Sequence, residues 1–373
     1  MLPRSLRAAA ALAGVASAAA QQSGFVWGTS GSWQQIVPTP DASGNVAQPA
    51  VAYQHAAFVP GTLLLTGNTT AVTPGSMDLY KYNIVMNTWS APFDFVPNPA
   101  VQIPFLFTYG GLAVIADEAQ PNVMNMIDQS MPSGAWTKIS VANAPLGRVA
   151  MRFVVWGSQL YFFGGVNLLN GNAVSNDLWS LDLTTSVTNP TGSNAWAQIS
   201  PQADPTTGII AGYPFPRVAY SFTAYQVGAV MYGGISSPAG TDPFATCIFN
   251  PSPTPNPGCF FHQNVWALLP GQFVPPSAAL GPNYPSGQMP PSAWVRLGEN
   301  GVSPGAVPDG RALHTAGAMG DNLFVYGGIT AKGPSNELWA YNLMSQAWGL
   351  VTSVGPQPPR GAGFGVGCIV GFH

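Results

Sequence analysis

The sequence predicts an all-β protein built from repeated four-stranded units. Three observations carry that reading. Charged residues make up only 7% of the 373-residue chain, where about 25% is usual for soluble domains. The 43 Gly and 37 Pro imply many tight turns and few exposed helices, while 46% apolar residues suffice for a sizeable core. Above all, the chain resembles itself. GRVAMRFVVWGSQLYFFGG from Gly147, PRVAYSFTAYQVGAVMYGG from Pro216 and GRALHTAGAMGDNLFVYGG from Gly310 share one pattern.

Each segment has an Arg, an apolar or alternating run, a short turn, a second apolar run and a Gly-Gly pair. Arg148 to Gly164, Arg217 to Gly233 and Arg311 to Gly327 are all 16 residues apart. Each continues with a run carrying one Trp (Trp179, Trp266, Trp339) and a run opening on another (Trp196, Trp294, Trp348). Apolar and polar residues alternating over four to eight positions mark half-buried strands. The unit is therefore four strands. Two looser copies precede these. One is QHAAFVPGTLLLTGN followed by MDLYKYNIVMNTW; the other is IPFLFTYGGLAVIADEA followed by NVMNMID and AWTKIS. In the latter Ala116-Asp117 stands where Gly-Gly is expected. The later units carry insertions at 184–195, 201–215, 238–262 and 270–292.

This Arg, Gly-Gly and paired-aromatic pattern resembles the kelch family over nearly all of the chain after its N-terminus. The resemblance implies blades of a β-propeller, each a four-stranded sheet around a central channel. Residues 25–37 read as the last two strands of a unit and 360–373 as the first strand of one. Together they would form a closing blade and remove a free sheet edge. The expected architecture is a six-bladed kelch-type propeller closed by strands from both termini.

Ahead of it, residues 1–20 have the layout of a secretory signal peptide: Arg4 and Arg7, an uncharged Ala8–Ala20 run, and small residues before the expected cleavage point. Residues 21–373 then form one domain. The alternative is an organelle transit peptide, because the run is Ala-rich and free of acids. Past it no apolar run is long enough to span a membrane. With a net charge of −3 and no basic run, a nucleic-acid partner is not expected. Cys247 and Cys259 flank the Pro-rich IFNPSPTPNPG, where a disulfide would close a loop; Cys368 is left over as a small buried residue. Asn68-Thr69-Thr70 is a glycosylation sequon.

The glycine pairs precede no helix, so they suit close strand packing rather than phosphate binding. The regular Trp and Tyr residues suit packing between blades. Arg148, Arg217, Arg311 and Arg360 occupy equivalent places at the entry to first strands. At a channel mouth they could converge on a carboxylate, with His314 beside them; alternatively each serves loop carbonyls or an acid such as Asp177 or Glu337. His55 and His314, at like positions of their units, lack a metal-ligand spacing, and a disulfide would consume the Cys259 thiol near His262; neither metal nor cofactor is expected.

The leading expectation is a secreted binding module acting through loops at the channel mouth, especially 238–262 and 270–292. Its partner would be a protein or a small anionic or carbohydrate ligand. The alternative is an enzyme resembling sialic-acid mutarotases, with an Arg-lined pocket and an acid-base residue among Glu118, Glu299 and Glu337 or a His. A copper radical oxidase, which galactose oxidase brings to mind through its own kelch propeller, is disfavoured for want of a motif around Cys259 or Cys368.

Overall fold

The computed structural model describes residues 30–32, 39, 51–59, 61–69, 77–90, 93–95, 104–128, 136–167, 171–199, 213–248, 258–270, 292–298, 300–301 and 307–354. It is all-β, with many antiparallel sheets and two short helical turns.

Each of the five repeats contributes four antiparallel strands that neighbour one another in chain order; a further strand joins the sheets of the first, second and fifth repeats. The first uses Val51–Val59, Thr62–Thr69, Met77–Asn83 and Thr88–Trp89. The second uses Pro104–Tyr109, Leu112–Asp117, Val123–Asp128 and Thr137–Ala142. The third uses Arg152–Trp156, Gln159–Phe163, Leu178–Asp182 and Ala197–Gln198. The fourth uses Ser221–Tyr225, Gly228–Tyr232, Val265–Pro270 and Ser292–Arg296. The fifth uses Thr315–Met319, Asn322–Tyr326, Leu338–Asn342 and Ala347–Leu350. First strands of successive repeats lie beside one another, so the sheets stack in a propeller-like series.

The strands form where apolar residues point to both faces, because shared apolar clusters bury the facing sides of neighbouring sheets. Phe105, Phe153, Phe162 and Trp196 join the second and third repeats in one buried cluster. Phe163, Tyr220, Phe222 and Trp294 join the third and fourth. Tyr232, Trp339, Tyr341 and Trp348 join the fourth and fifth. The Trp348 ring lies 4.9 Å from both Tyr341 and Tyr232. Large side chains of this kind contribute about 1.5–3 kcal/mol each when fully buried. The aromatic positions thus pack blade against blade.

The ends of the series meet an N-terminal segment. Ser30–Ser32 pairs in parallel with Thr352–Val354, which follows the last strand of the fifth repeat. Thr39 donates its amide to Asn87 O at 2.8 Å, in the first repeat's final hairpin. The same kind of parallel pairing links Asn194–Ala195 to Thr137–Ala142, and Asn300–Gly301 to Ala347–Leu350. The expected partner of residues 25–37, the stretch 363–370, lies outside the described residues, as do Arg360 and Cys368.

Two insertions carry helical turns that the strand pattern does not announce. Leu183–Thr188 is a short α-helix whose N-cap, Asp182, accepts from the Thr184 and Thr185 amides. Phe244–Ile248 is a single π-helical turn begun by Asp242, whose carboxylate accepts from the Phe244 amide at 2.8 Å.

The glycine pairs sit where one repeat touches the next. Gly233 has φ +72°, and a Cβ there would lie 2.6 Å from Arg311 O and 2.7 Å from the His314 ring. Its neighbour Gly234 donates its amide to that same Arg311 carbonyl at 2.8 Å. The close approach needs a residue without a side chain. Gly233→Ala is expected to cost at least about 2 kcal/mol, from left-handed strain plus the clash. Thermal melting of the variant checks this; an unchanged Tm would mean the neighbouring repeat yields freely.

Candidate functional site

The three repeated arginines do the same thing in each repeat. Arg148, Arg217 and Arg311 each donate Nη1 to the carbonyl 16 residues on, Gly164, Gly233 and Gly327, at 3.1, 2.9 and 3.0 Å. Each donates Nε to the carbonyl two residues back, that of Leu146, Phe215 or Asp309. Each also reaches the residue two before the first Trp. Arg148 grips both oxygens of Asp177, Arg311 bonds Glu337 at 2.9 Å, and Arg217 bonds Asn264 at 2.9 Å. The constant sequence spacing is therefore a bond: the arginine fastens the start of the first strand to the end of the second.

Of the two roles set out for these arginines, the bonds seen are those of the second, to loop carbonyls and to Asp177 and Glu337. Arg217 and Arg311 are fully buried and Arg148 nearly so, each engaged within its own repeat. His314 is buried as well. Its Nε2 meets Ser221 Oγ at 2.9 Å, and its ring stands edge-on to Tyr232. Burial, with Arg311 and Arg152 nearby, pushes its pKa down to about 3, so the ring is neutral between the fourth and fifth repeats. Arg360 lies outside the described residues, and so does the side chain of Asn68, although its backbone ends a strand. Cys247 and Cys259 are disulfide-bonded.

The latch has one irregular copy. Burial alone would raise the Asp177 and Glu337 carboxyls. Bonds from Arg148 to Asp177, and from Trp339 and Arg311 to Glu337, outweigh that and hold both below their ordinary values. In the fourth repeat the neutral Asn264 takes this place. Arg217 Nη2 and Trp266 Nε1 are then buried without a partner among the described residues, and burial lowers the Arg217 pKa to about 9.

Behind the latches runs a ladder of left-handed residues. Ala150, Ala219 and Leu313, each two places after its Arg, have φ of 58°, 56° and 55°. The Ala219 amide donates to Ala150 O at 3.1 Å, and Leu313 to Ala219 O at 3.0 Å, from repeat to repeat. At the start of the ladder the Ala150 amide donates to the Glu118 carboxylate at 2.9 Å. Glu118, an acid-base candidate of the enzyme alternative, is buried. It lies 3.6 Å from Arg152, a buried residue that sequence reasoning did not single out. Arg152 in turn gives its amide to the Tyr220 hydroxyl at 3.1 Å. Burial raises the Glu118 pKa to about 7, against the pull of Arg152 and the Ala150 amide.

The exposed chemistry lies elsewhere, in a cleft of about 610 Å³ between the third and fourth repeats. One wall is the Gly171–Val174 hairpin and the other is Ser236–Gly240, with Phe215, Phe260 and His262 between them. Among the described residues its lining includes no Asp, Glu, Lys or Arg. Phe215 and Phe260 are 57% and 58% exposed. The His262 ring lies between them, near-parallel to Phe215 at 6.5 Å and edge-on to Phe260 at 4.8 Å. Ser236 Oγ meets His262 Nε2 at 2.7 Å, a pairing that invites comparison with a catalytic dyad. The hydroxyl proton, however, goes to Pro216 O, so Nε2 must donate to Ser236. Burial, then the Arg217 charge, lowers the His262 pKa far below its usual value. The imidazole is a poor base and the serine is not activated; the pair fixes a neutral ring in the cleft.

The insertion that forms one wall is braced. Thr241 bonds Pro238 O through both its amide and its hydroxyl, at 3.1 and 2.7 Å. The disulfide ties the π-helical turn to Cys259, and Phe244, Cys247 and Ile248 pack on the apolar layer around Ala150, Ala219 and Leu313. The walls meet where Gly240 comes against Gly171 O.

Residues 310–354 match the Kelch motif. The match starts one residue before the Arg311 latch and ends at Val354, which pairs with the N-terminal segment. It is consistent with a kelch-repeat family. The kelch arginine and glycine pair of this repeat are the two ends of one latch, and the same latch recurs at Arg148 and Arg217.

Asn264→Asp should supply the missing carboxylate to Arg217 and to Trp266 Nε1. A stabilisation of about 1.5 kcal/mol is expected, the scale of a hydrogen bond to a charged group; urea unfolding measures it, and a loss of stability would refute the pairing. Glu118 gives a pH effect of fixed sign. With its folded pKa raised, the folded state holds that proton more tightly than the unfolded one. Its contribution therefore favours folding at acid pH and is lost as pH rises from about 4.5 towards about 7. His262 and His314, whose pKa values are lowered, act oppositely: their contribution is lost as pH falls below 6.5. Comparison with a variant separates the two effects. The Tm of Glu118→Gln should gain on the wild type by about 2–4 °C between roughly pH 5 and pH 7.5; a constant difference would show that the Glu118 pKa is not raised.

Proposed function

We propose that this protein is a secreted, six-bladed kelch propeller that binds a protein partner through the loops of the cleft face. Kelch domains typically mediate protein binding. The observation that carries the reading is the charge-free cleft with Phe215 and Phe260 at its rim, built on a disulfide-braced loop. Exposed aromatics in an uncharged patch are what the buried centres of protein interfaces use. A rigid loop also loses little freedom when it binds.

The six-blade reading rests on the N-terminal segment, which joins the fifth repeat through Ser30–Ser32 and the first through Thr39. That is the seat a composite sixth blade would take between them, within one domain over 21–373. The disulfide supports an oxidising compartment, in keeping with residues 1–20 as an export signal and Asn68 as a glycan acceptor. No described helix is long and apolar enough to cross a membrane. The sugar-acid enzyme gains no support, because the arginines on which it depends are latched.

The test is a cDNA display library from the protein's own source, panned against the wild type and against the Phe215→Ser/Phe260→Ser variant. Clones should be enriched by the wild type and lose at least tenfold in affinity for the variant, whose melting curve should be unchanged. Clones that bind both proteins equally, or no enrichment, would overturn the reading.

A further inference from the structure

The same cleft has a second property that its side chains do not convey. Its walls carry two short strands, of which Phe260–Phe261 has its outer edge against Gly310 while Ala173–Val174 is paired with a described strand on one edge only. Ala173–Val174 pairs with Val166–Asn167 and with no other described strand. Phe260–Phe261 pairs with Ile235–Ser236 and with no other described strand. Ala173, Val174 and Phe260 all line the cleft. Open strand edges present backbone amides and carbonyls that another strand can take up.

We propose that the cleft accepts an extended peptide segment of the partner by strand addition to the Ala173–Val174 edge. This rests on the binding reading above and names what the cleft recognises. Main-chain bonds to the open edge would supply affinity without regard to sequence, and alternate side chains would point into the cleft. Those side chains meet Val174, Phe215, Pro238 and Phe260, so apolar or aromatic residues at every second position are selected. A charged residue there is rejected, because no lining side chain can neutralise it and the neutral His262 gives no compensating charge. The segment is thus an uncharged, alternating apolar strand of about four to six residues, the length of a short natural strand. The braced Pro238–Thr241 turn and the disulfide hold one wall still, and the hairpin of the third repeat holds the other.

The probe is an array of synthetic octapeptides, uncharged, with Val, Leu or Phe at alternate positions. Each has two companions: the same composition with its apolar residues contiguous, and the same sequence with its central amides N-methylated. Alternating peptides should bind the intact disulfide-bonded protein. Contiguous ones should bind at least tenfold more weakly, and N-methylation should lower affinity at least tenfold. Phe260→Ser should lower it by a similar factor, while Met344→Ser, in an exposed hairpin turn of the fifth repeat, should leave it unchanged. Val174→Pro removes an edge amide; because it could disturb the hairpin, the N-methylated peptides carry that test independently. Binding that is indifferent to N-methylation, or no binding by any alternating peptide, would overturn strand addition. If the display experiment still yields partners sensitive to Phe215 and Phe260, the binding face stands and only this mode of recognition falls. If both experiments fail, both readings fall.

Discussion

The bond between an arginine and a glycine carbonyl 16 residues further on is the constraint from which the rest of this structure follows. A first strand entering a sheet and a second strand leaving it must be held at one end, where the chain turns to begin a neighbouring mini-sheet. Arg148, Arg217 and Arg311 hold them there with three donors fixed in one plane. Only once the ends are fixed can the glycine pair pass close to the next repeat and donate an amide to that repeat's own arginine carbonyl, as Gly234 does to Arg311. The Arg217 and Arg311 latches each serve two repeats, since the Gly165 and Gly234 amides donate to their carbonyls. Each closes its own sheet and offers a carbonyl to the sheet before it.

Burying guanidinium groups is expensive, and the protein offsets the cost unevenly. Asp177 and Glu337 give full charges to Arg148 and Arg311, and share them with the indoles of Trp179 and Trp339. Asn264 gives Arg217 only an amide oxygen. The fourth repeat is also the one whose insertions build a wall of the cleft, so the weakest latch and the exposed apolar surface share one part of the chain.

The repeated architecture was legible because it is periodic. The arginine spacing, the Gly-Gly pairs and the two Trp positions recur, and each recurrence corresponds to one contact made several times. What does not recur was not legible. Arg152 and Glu118 form a pair across two repeats, one of them degenerate, and no spacing links them. The Leu183–Thr188 helix escaped because Leu-Thr-Thr-Ser-Val-Thr is rich in β-branched residues; Asp182 and its capping bonds start the helix there. The 238–262 insertion was legible as a contact loop, but the pairing of Phe260 with Phe215 was not, because they come from two insertions that have no counterpart in other repeats. The arginines were placed correctly along the chain, yet their direction could not be read: the same spacing fits a group turned into the channel and one turned into its own loop. The disulfide was legible because a twelve-residue separation around a Pro-rich stretch leaves few other partners.

Glu118 has a consequence of another kind. A series of similar repeats carries no mark of order: one unit could dock in its neighbour's place, one step out of phase. Where the later repeats pass a backbone carbonyl to the next left-handed residue, the second repeat offers a side-chain carboxylate to the Ala150 amide instead. Every polypeptide has carbonyls, but only this position has that carboxylate, with Arg152 placed to meet it. The pair works as an address, marking where counting begins. A chain docked one repeat out of step would set the Glu118 carboxyl away from both the Ala150 amide and Arg152.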